Sequence, residues 1–363
     1  MTNSESLLIK SGQGDYPVHF FSSISDLTAS ARFDVKETFF IIDETVIDMY
    51  PELRNYLSEY KIYPTQAVEE EKTLEGVGRF VNWLLENGAT RSGRIVAIGG
   101  GIIQDIATFT SDIYYRGIKW EYIPTTLLSQ SDSCIGAKCG INVLPHKNQL
   151  GVINSPKCVY VVEEFLHSLP KYDFESGFGE ILKLSLTGPN EFYQEFLNHL
   201  NLYGLNPSKV MPLLQNSLNA KKAVIEEDEY ESGYRRILNY GHSFGHAIEA
   251  LTENSVPHGY GVLFGMDLIN FLGVKWGATP STLQKEIQDL IKKYFSNFKI
   301  EMEFTPRALV NQVSKDKKMS LGKMNFAVLF GAGDIQIIEK DLDENLISLV
   351  KEYFDGKHAF TFS

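Results

Sequence analysis

Arg94-Ile-Val-Ala-Ile98-Gly99-Gly100-Gly101, running into Ile102-Ile-Gln-Asp-Ile-Ala-Thr-Phe-Thr-Ser111, decides the fold class of this chain. A short apolar run, three glycines and a stretch without Gly or Pro predict a buried strand, a tight turn and a helix over 102–111. Such a turn sets backbone N–H groups and a helix N-terminus at one point, which suits a pyrophosphate. Taken alone it reads equally as a βα connection that binds nothing. The G-x-G-x-x-G pattern is broken, because Gln104 stands at its third glycine.

Outward from that turn, strand and helix signals alternate. Thr38-Phe-Phe-Ile-Ile42 is β-rich and ends at Asp43; residues 73–88 have helical periodicity with Gly88 as a stop; Lys119-Trp-Glu-Tyr-Ile123 runs into Pro124-Thr125-Thr126. Alternation of this kind predicts a mostly parallel sheet with helices on both faces. From Leu166 onward helical patterns take over, at 174–186, 190–201, 207–229, 242–253, 260–276 and 280–295, with β-like runs at 325–330 and 335–338. The expected architecture is an α/β N-terminal domain with a Rossmann-like parallel sheet over 1–165, and a mainly α-helical C-terminal domain over 166–363.

The chain is long enough for two domains and a large core. Its 43% apolar and 22% charged residues are ordinary for a globular protein. A formal net charge of -12 argues against a nucleic-acid partner, so an anionic ligand needs a local cluster of Lys and Arg. No apolar run approaches the roughly 18–20 residues of a membrane span. The best stretch, Val262 to Val274, is interrupted by Asp267 and Asn270. The N-terminus has neither a basic n-region nor an apolar h-region. Cys134, Cys139 and Cys158 make no disulfide framework. The reading is a cytoplasmic protein with no membrane partner.

Chemistry concentrates in Arg235-Arg-Ile-Leu-Asn239-Tyr-Gly-His242-Ser-Phe-Gly-His246, followed by His258-Gly259. Three of the eight histidines fall within the seventeen positions 242–258. His242 and His246 share one helix face, one turn apart. Gly241 and Gly245 let another backbone or a ligand come close. This spacing fits a metal site that takes further ligands from elsewhere, or a metal site in which one histidine acts as acid or base. Glu180 and Lys183, on one face of a predicted helix, would ordinarily be a surface ion pair. Here Gly177 and Gly179 precede them and apolar residues surround them, so the carboxylate needs a partner, and a metal is one. The segment from Asp132 through Gly136, Lys138, Gly140 and Asn142 to His146-Lys147-Asn148 mixes glycines, lysines and amides that can wrap a hydroxylated anion. In isolation it reads more readily as a solvated loop. Asp43 alone is an ordinary loop aspartate, or a group that receives ribose hydroxyls. The Lys317-Lys318 pair alone is solvated surface.

Read together and in order, these motifs resemble dehydroquinate synthase, of the sugar phosphate cyclase superfamily. They run from Asp43 through Glu69-x-x-Lys72-Thr-Leu-Glu75, Gly99-Gly-Gly-Ile-Ile-Gln-Asp105 and Tyr115-Arg116-Gly117 to Pro124-Thr125-Thr126. Asp132-Ser133, Lys138-x-Gly140-x-Asn142 and Lys147-Asn148 follow; then come Glu180-x-x-Lys183, the histidine stretch, His258-Gly259 and Asp316-Lys-Lys318.

The resemblance implies that Glu180, His242 and His258 bind a metal, Zn2+ or Co2+, and that His246 is a catalytic, phosphate-contacting histidine. It implies substrate roles for Lys138, Lys147, Asn148, Lys183, Lys221, Arg235, Asn239 and Lys318, and places Asp132 near nicotinamide and substrate. Arg116 would reach a neighbouring subunit's site, which implies a homodimer. Asp43, Glu69, Lys72, Gly100, Gly101, Asp105, Thr125 and Thr126 would bind NAD. The implied reaction converts a seven-carbon phosphorylated keto sugar acid to a carbocycle. Oxidation by bound NAD+, elimination of phosphate, return of hydride, ring opening and an aldol closure follow in turn, so NAD is not consumed.

The chain also departs from the family pattern. Gln104 and Ala137 replace glycines, Cys139 replaces a threonine, and Val143-Leu-Pro-His146 stands for His-Pro-Leu-Gly. Tyr260-Gly261-Val262 stands where Glu-Ala-Val is usual. Two other expectations stay open, and these departures favour the first. One is a sister cyclase acting on an amino analogue, sedoheptulose 7-phosphate or glucose 6-phosphate. The other is a metal- and NAD-dependent polyol or glycerol-phosphate dehydrogenase.

Overall fold

A computed structural model of the protein describes residues 6–143, 146–295, 299–300, 304–315, 322–356 and 361–362. The chain divides into two compact units, 1–170 with 207–211, and 171–206 with 212–363.

In the first unit the strands are β1 (Ser6–Ile9), β2 (Tyr16–Phe21), β3 (Thr38–Asp43), β4 (Lys61–Thr65), β5 (Arg94–Gly99), β6 (Lys119–Pro124), β7 (Ile141–Val143), β8 (His146–Leu150) and β9 (Val159–Val162). Its helices are α1 (Ile24–Ser30), α2 (Glu44–Met49), α3 (Pro51–Leu57), α4 (Leu74–Glu86) and α5 (Gly101–Ile113). Among the described residues seven strands form one sheet, in the order β1-β2-β9-β6-β5-β3-β4. All neighbours are parallel except β1 on β2. The central strands are apolar runs rather than alternations: Thr38 to Ile42 and Ile95 to Gly99 are buried throughout. That is the pattern of strands covered on both faces. On one face Phe40, Ile42, Val96 and Ile98 pack with Ile24, Leu27, Leu53, Leu57 and Phe165. On the other, α4 brings Phe80 and Trp83 against Tyr63, and Trp83 meets Phe39 edge-on.

The strand order places the ligand end. The chain passes from β3 outward to β4, then crosses back to β5 on the other side of β3 and on to β6. Direction reverses between β3 and β5, and crevices at the carboxyl ends of such strands hold ligands in open α/β sheets. Ile42 pairs with Ile98, so the carboxyl ends of β3 at Asp43 and of β5 at Gly99, which leads into Gly100 and Gly101, lie side by side at this point.

The second unit holds α6 (Lys171–Thr187), α7 (Asn190–Tyr203), α8 (Met211–Glu227), α9 (His242–Leu251), α10 (His258–Lys275), α11 (Ser281–Phe295), α12 (Pro306–Ser314) and α13 (Glu344–Asp355). A short parallel pair, β10 (Lys299–Ile300) and β13 (Thr361–Phe362), and an antiparallel hairpin, β11 (Lys323–Gly331) with β12 (Asp334–Asp341), complete it. Every residue of α6 from Phe174 to Thr187, and of α10 from Gly259 to Asn270, is buried. Helices buried all round are core elements.

The α/β-plus-helical architecture is the expected one, with three local corrections. The helix expected over 207–229 is a 3-10 turn at Pro207–Lys209 followed by α8 from Met211, with Pro212 in the first turn where its missing N–H costs little. The helix expected from 260 begins at His258, directly after Pro257. The segment read as a loop before Asn148 folds partly into the β7–β8 hairpin. No described helix is long and apolar enough to cross a membrane.

Candidate functional site

The centre of the second unit is a buried carboxylate facing three imidazoles. Glu180, on α6, is fully buried, and neither carboxylate oxygen accepts a hydrogen bond of normal geometry among the described residues. Lys183 Nζ, one turn along, makes an ion pair with its Oε2. His242 Nε2 lies 3.4 Å and His258 Nε2 3.2 Å from its Oε1. His246 joins the group: its ring centroid is 5.3 Å from that of His242 and 5.7 Å from that of His258. One ligand nitrogen from each of the three histidines falls within 4.8 Å of the others.

The nitrogen that each of these two histidines turns toward Glu180 is set by what holds the other nitrogen. His242 Nδ1 is 3.2 Å from the Tyr240 carbonyl oxygen and His258 Nδ1 is 3.0 Å from Glu249 Oε1. With Nδ1 donating to oxygen, Nε2 is left to accept, which is the tautomer a metal needs. Burial works against charge on Glu180, but Lys183, His242 and His258 together hold its carboxyl well below the usual range. Burial also works against charge on His258, yet Glu180 and Glu249 on either side push its pKa up to about 10. Two carboxylates thus draw a proton onto an imidazole. A cation at Nε2 competes with that proton. A buried carboxylate with unsatisfied oxygens beside two such nitrogens is a fitting donor set for a divalent ion such as zinc, with room for further ligands.

Glycines bring these groups together. A Cβ on Gly179 would stand 2.5 Å from the Gly259 carbonyl oxygen, so α6 and α10 touch through their backbones beside Glu180 and His258. A Cβ on Gly265 would stand 1.8 Å from the Gly241 oxygen, and one on Gly245 2.9 Å from the Gly261 oxygen. The close neighbour expected for Gly241 and Gly245 is therefore α10. His242 and His258 are the first residues of the helices so crossed.

Cations are buried in the second unit as well. Lys183 on α6, Lys221 on α8 and Arg235 in the turn at Tyr234–Asn239 are buried, an arrangement that requires negative partners in an acidic chain. The Arg235 turn is built by Asp228, whose carboxylate accepts from the N–H groups of Ser232 at 2.8 Å, Gly233 at 2.8 Å and Arg235 at 3.0 Å. Those N–H groups, Arg235's first, hold the Asp228 carboxyl well below its ordinary value. Asn239 donates to Glu231 Oε1 at 3.0 Å. His246 is exposed and borders a 220 Å³ cavity with Ser243, Gln312 and Lys315. Lys318 lies outside the described residues.

The first unit assembles a second polar site. Gly100 caps α5 and Gly101 begins it. Asp43 caps α2, accepting from Thr45 N at 3.0 Å. Thr125 N donates to the Gly99 oxygen, and Thr126 Oγ1 bonds Ser129. Lys72 Nζ is 2.7 Å from Asp105 and 4.0 Å from Glu69, while Lys147 Nζ is 3.9 Å from the other Glu69 oxygen. Burial pushes the Asp105 carboxyl up, and Lys72 and the Gly140 N–H only partly oppose it. An open groove of 350 Å³ is lined by Lys72, Asp105, Lys138, Cys139, Gly140 and Asn148. Asp132 lies in the turn Ser129–Ser133, and exposed Arg116 in a left-handed turn after α5.

Residues 62–176 match the family model of the 3-dehydroquinate synthase N-terminal region, and residues 177–319 that of its C-terminal region. The chain belongs to the dehydroquinate synthase family. The 3-dehydroquinate synthase of Alkaliphilus metalliredigens (strain QYMF) is 33% identical over 337 residues, covering 92% of this chain and 94% of that protein. Among solved structures, 2-deoxy-scyllo-inosose synthase complexed with carbaglucose-6-phosphate, NAD+ and Co2+ superposes with a TM-score of 0.85 at 24% identity, covering 96% of this chain and 99% of that one. The 2-epi-5-epi-valiolone synthase of Streptomyces hygroscopicus subsp. jinggangensis 5008, with NAD+ and Zn2+ bound, gives 0.83 at 24% identity, covering 95% and 98%. These two share the fold.

Within the dehydroquinate synthase framework the structure explains several departures. Gln104 is 3% exposed and bonds Ser133 twice, Nε2 to the carbonyl oxygen at 2.7 Å and Oε1 from the hydroxyl at 2.6 Å. Its side chain ties α5 to the turn that carries Asp132. Ala137 keeps a left-handed φ of 62°, the conformation in which a glycine is at ease. Sequence reasoning gave no role to Glu249, and gave Asn142 only a place among the amides that can wrap an anion. Asn142 is buried, donates to Glu69 Oε1 at 2.7 Å and accepts from Asn148 N at 2.8 Å. Its place in the Lys138-x-Gly140-x-Asn142 motif was the available signal; Glu249 offered none beyond lying one turn after His246.

Proposed function

We propose that the protein is a 3-dehydroquinate synthase, converting the seven-carbon phosphorylated keto sugar acid DAHP to 3-dehydroquinate with release of phosphate. The observation that carries this reading is Glu180, a buried carboxylate with unsatisfied oxygens set against His242, His258 and Lys183, in a chain of this family. Bound NAD+ supplies reversible hydride transfer and a divalent cation, Zn2+ or Co2+, supplies Lewis acidity toward substrate oxygens.

The chain's own residues do the rest. Glu180, His242 and His258 hold the cation, which leaves His246 as the histidine for proton transfer and phosphate contact. This division is supported by Glu180 Oε1 lying within 3.4 Å of both other nitrogens. Lys183, Lys221 and Arg235 meet the charge of a doubly anionic substrate, and the carboxylate in particular needs Arg235. Asn239, Lys138, Lys147, Asn148 and Lys318 complete the substrate contacts, with Asp132 beside the reacting carbon. Asp43, Glu69, Lys72, Gly100, Gly101, Asp105, Thr125 and Thr126 form the NAD site of the first unit. The position of Asp43 and the glycine turn at the reversal between β3 and β5 supports that assignment. A homodimer follows if Arg116, exposed on its turn, serves a partner's substrate. The same reading includes a cytoplasmic setting, the expectation for a sequence whose three cysteines make no disulfide framework.

The test offers purified protein, with Zn2+ and catalytic NAD+, each sugar phosphate in turn and follows phosphate release. Turnover on DAHP alone supports the reading. Release from sedoheptulose 7-phosphate alone overturns it in favour of a sister cyclase, and steady NADH accumulation on a polyol without phosphate release in favour of a dehydrogenase.

A further inference from the structure

The carboxylate on the outer nitrogen of His258 comes from the preceding helix, and the chain makes room for it. Glu249 on α9 places Oε1 3.0 Å from His258 Nδ1. Tyr260, two residues beyond His258, sends its hydroxyl to buried Glu175. Gly261 then provides the seat. A Cβ there would stand 2.8 Å from Glu249 Oε1, 3.2 Å from Glu249 Cγ and 3.2 Å from the Gly245 carbonyl oxygen.

We propose that Glu249 is a positioning residue for the metal centre, fixing His258 with Nε2 toward Glu180. This rests on the metal site proposed above. The physical reason is general: a ligating imidazole whose other N–H donates to a carboxylate is held in one tautomer and one ring orientation and binds more strongly. His258 needs that restraint more than His242 does. His242 Nδ1 is held by a backbone carbonyl within its own turn, whereas the His258 side chain is 34% exposed and opens its helix. Without Glu249 the ring is free to rotate away from Glu180.

The experiment measures zinc affinity of the full-length protein by competition with a chromophoric chelator, with circular dichroism of each metal-free variant as the folding control. Wild type binds one zinc, and Glu249→Ala weakens binding about 10–100-fold. Glu249→Gln falls between, because its amide oxygen still accepts from Nδ1. Wild-type affinity in a folded Glu249→Ala overturns the proposal. If wild type itself binds no zinc or cobalt, the metal-site reading fails instead.

Discussion

The carbonyl oxygen of Ser176 occupies the space where Gly259 would carry a side chain: a Cβ there would lie 1.7 Å away. Ser176 Oγ accepts from the Gly259 N–H at 2.9 Å, so the contact is bonded as well as close. This crossing of α6 and α10 sets Glu180 against His258. Gly259→Ala must move one helix. Backbone is the obstacle, and overpacking at such a point costs typically about 1–3 kcal/mol or more. The expected result is a lower melting temperature and substoichiometric metal, read by calorimetry and metal analysis. Full metal occupancy at unchanged stability would show that the helices can part without disturbing the donors.

Removing either histidine of the i,i+4 pair separates their roles. His242→Ala takes away a nitrogen 3.4 Å from Glu180 and is expected to abolish stoichiometric metal binding. His246→Ala is expected to keep the metal and slow phosphate release, because an acid–base group contributes about 10²–10⁴-fold. Metal analysis beside turnover checks both, and equal loss of metal in the two variants would overturn the division.

Gln104 joins the helix after the glycine turn, part of the proposed NAD site, to the turn bearing Asp132. Gln104→Met keeps the volume and deletes both bonds to Ser133. At about 1 kcal/mol per bond, more where a partner is stranded, the variant should lose about 1–3 kcal/mol of stability. Release of the Asp132 turn should also raise the KM for NAD+ and lower kcat. Unchanged kinetics with the stability loss alone would confine Gln104 to folding.

How far the sequence discloses this molecule depends on whether the signal is local. The strand at 94–99, the glycine turn and the helix after it are legible because apolar runs and glycines act within a few residues. β4 escapes because Pro64 interrupts it, and a strand with a proline survives only as an edge, which is where β4 lies. The histidine pair announces itself through its spacing. The Glu249–His258 contact does not, since it depends on how α9 meets α10, and that is set by Gly241, Gly245, Gly261 and Gly265 acting across two helices. Gln104 is visible in sequence only as a broken glycine pattern, because its partner is 29 residues away.

Asp228 ties the Arg235 turn to acid. Its carboxyl is held below the ordinary 3.8 by N–H donors, so its stabilising contribution is present above the unfolded value and is lost as pH falls through it toward the folded one. Asp228→Asn should be less stable than wild type at neutral pH, and the difference should shrink below about pH 4. Denaturant melts across pH check the sign. The same variant should raise the KM for the carboxylated substrate through Arg235. A stability gap that widens in acid would contradict the assignment.

Ala137 tests whether a departure from the family pattern carries a cost. Its φ of 62° is the left-handed region, while its carbonyl accepts from Asn154 N at 2.9 Å, which pins the conformation. A non-glycine residue there costs about 1–2 kcal/mol, and glycine brings back about 0.5–1 kcal/mol as lost chain entropy. Ala137→Gly should therefore stabilise the protein by roughly 0.5–1 kcal/mol, measured by equilibrium unfolding. Lys138, the next residue, keeps its backbone bridge to Ile153, so the first-unit groove should be unchanged. Destabilisation by glycine would mean that the methyl group's packing at this buried position outweighs the strain of its backbone.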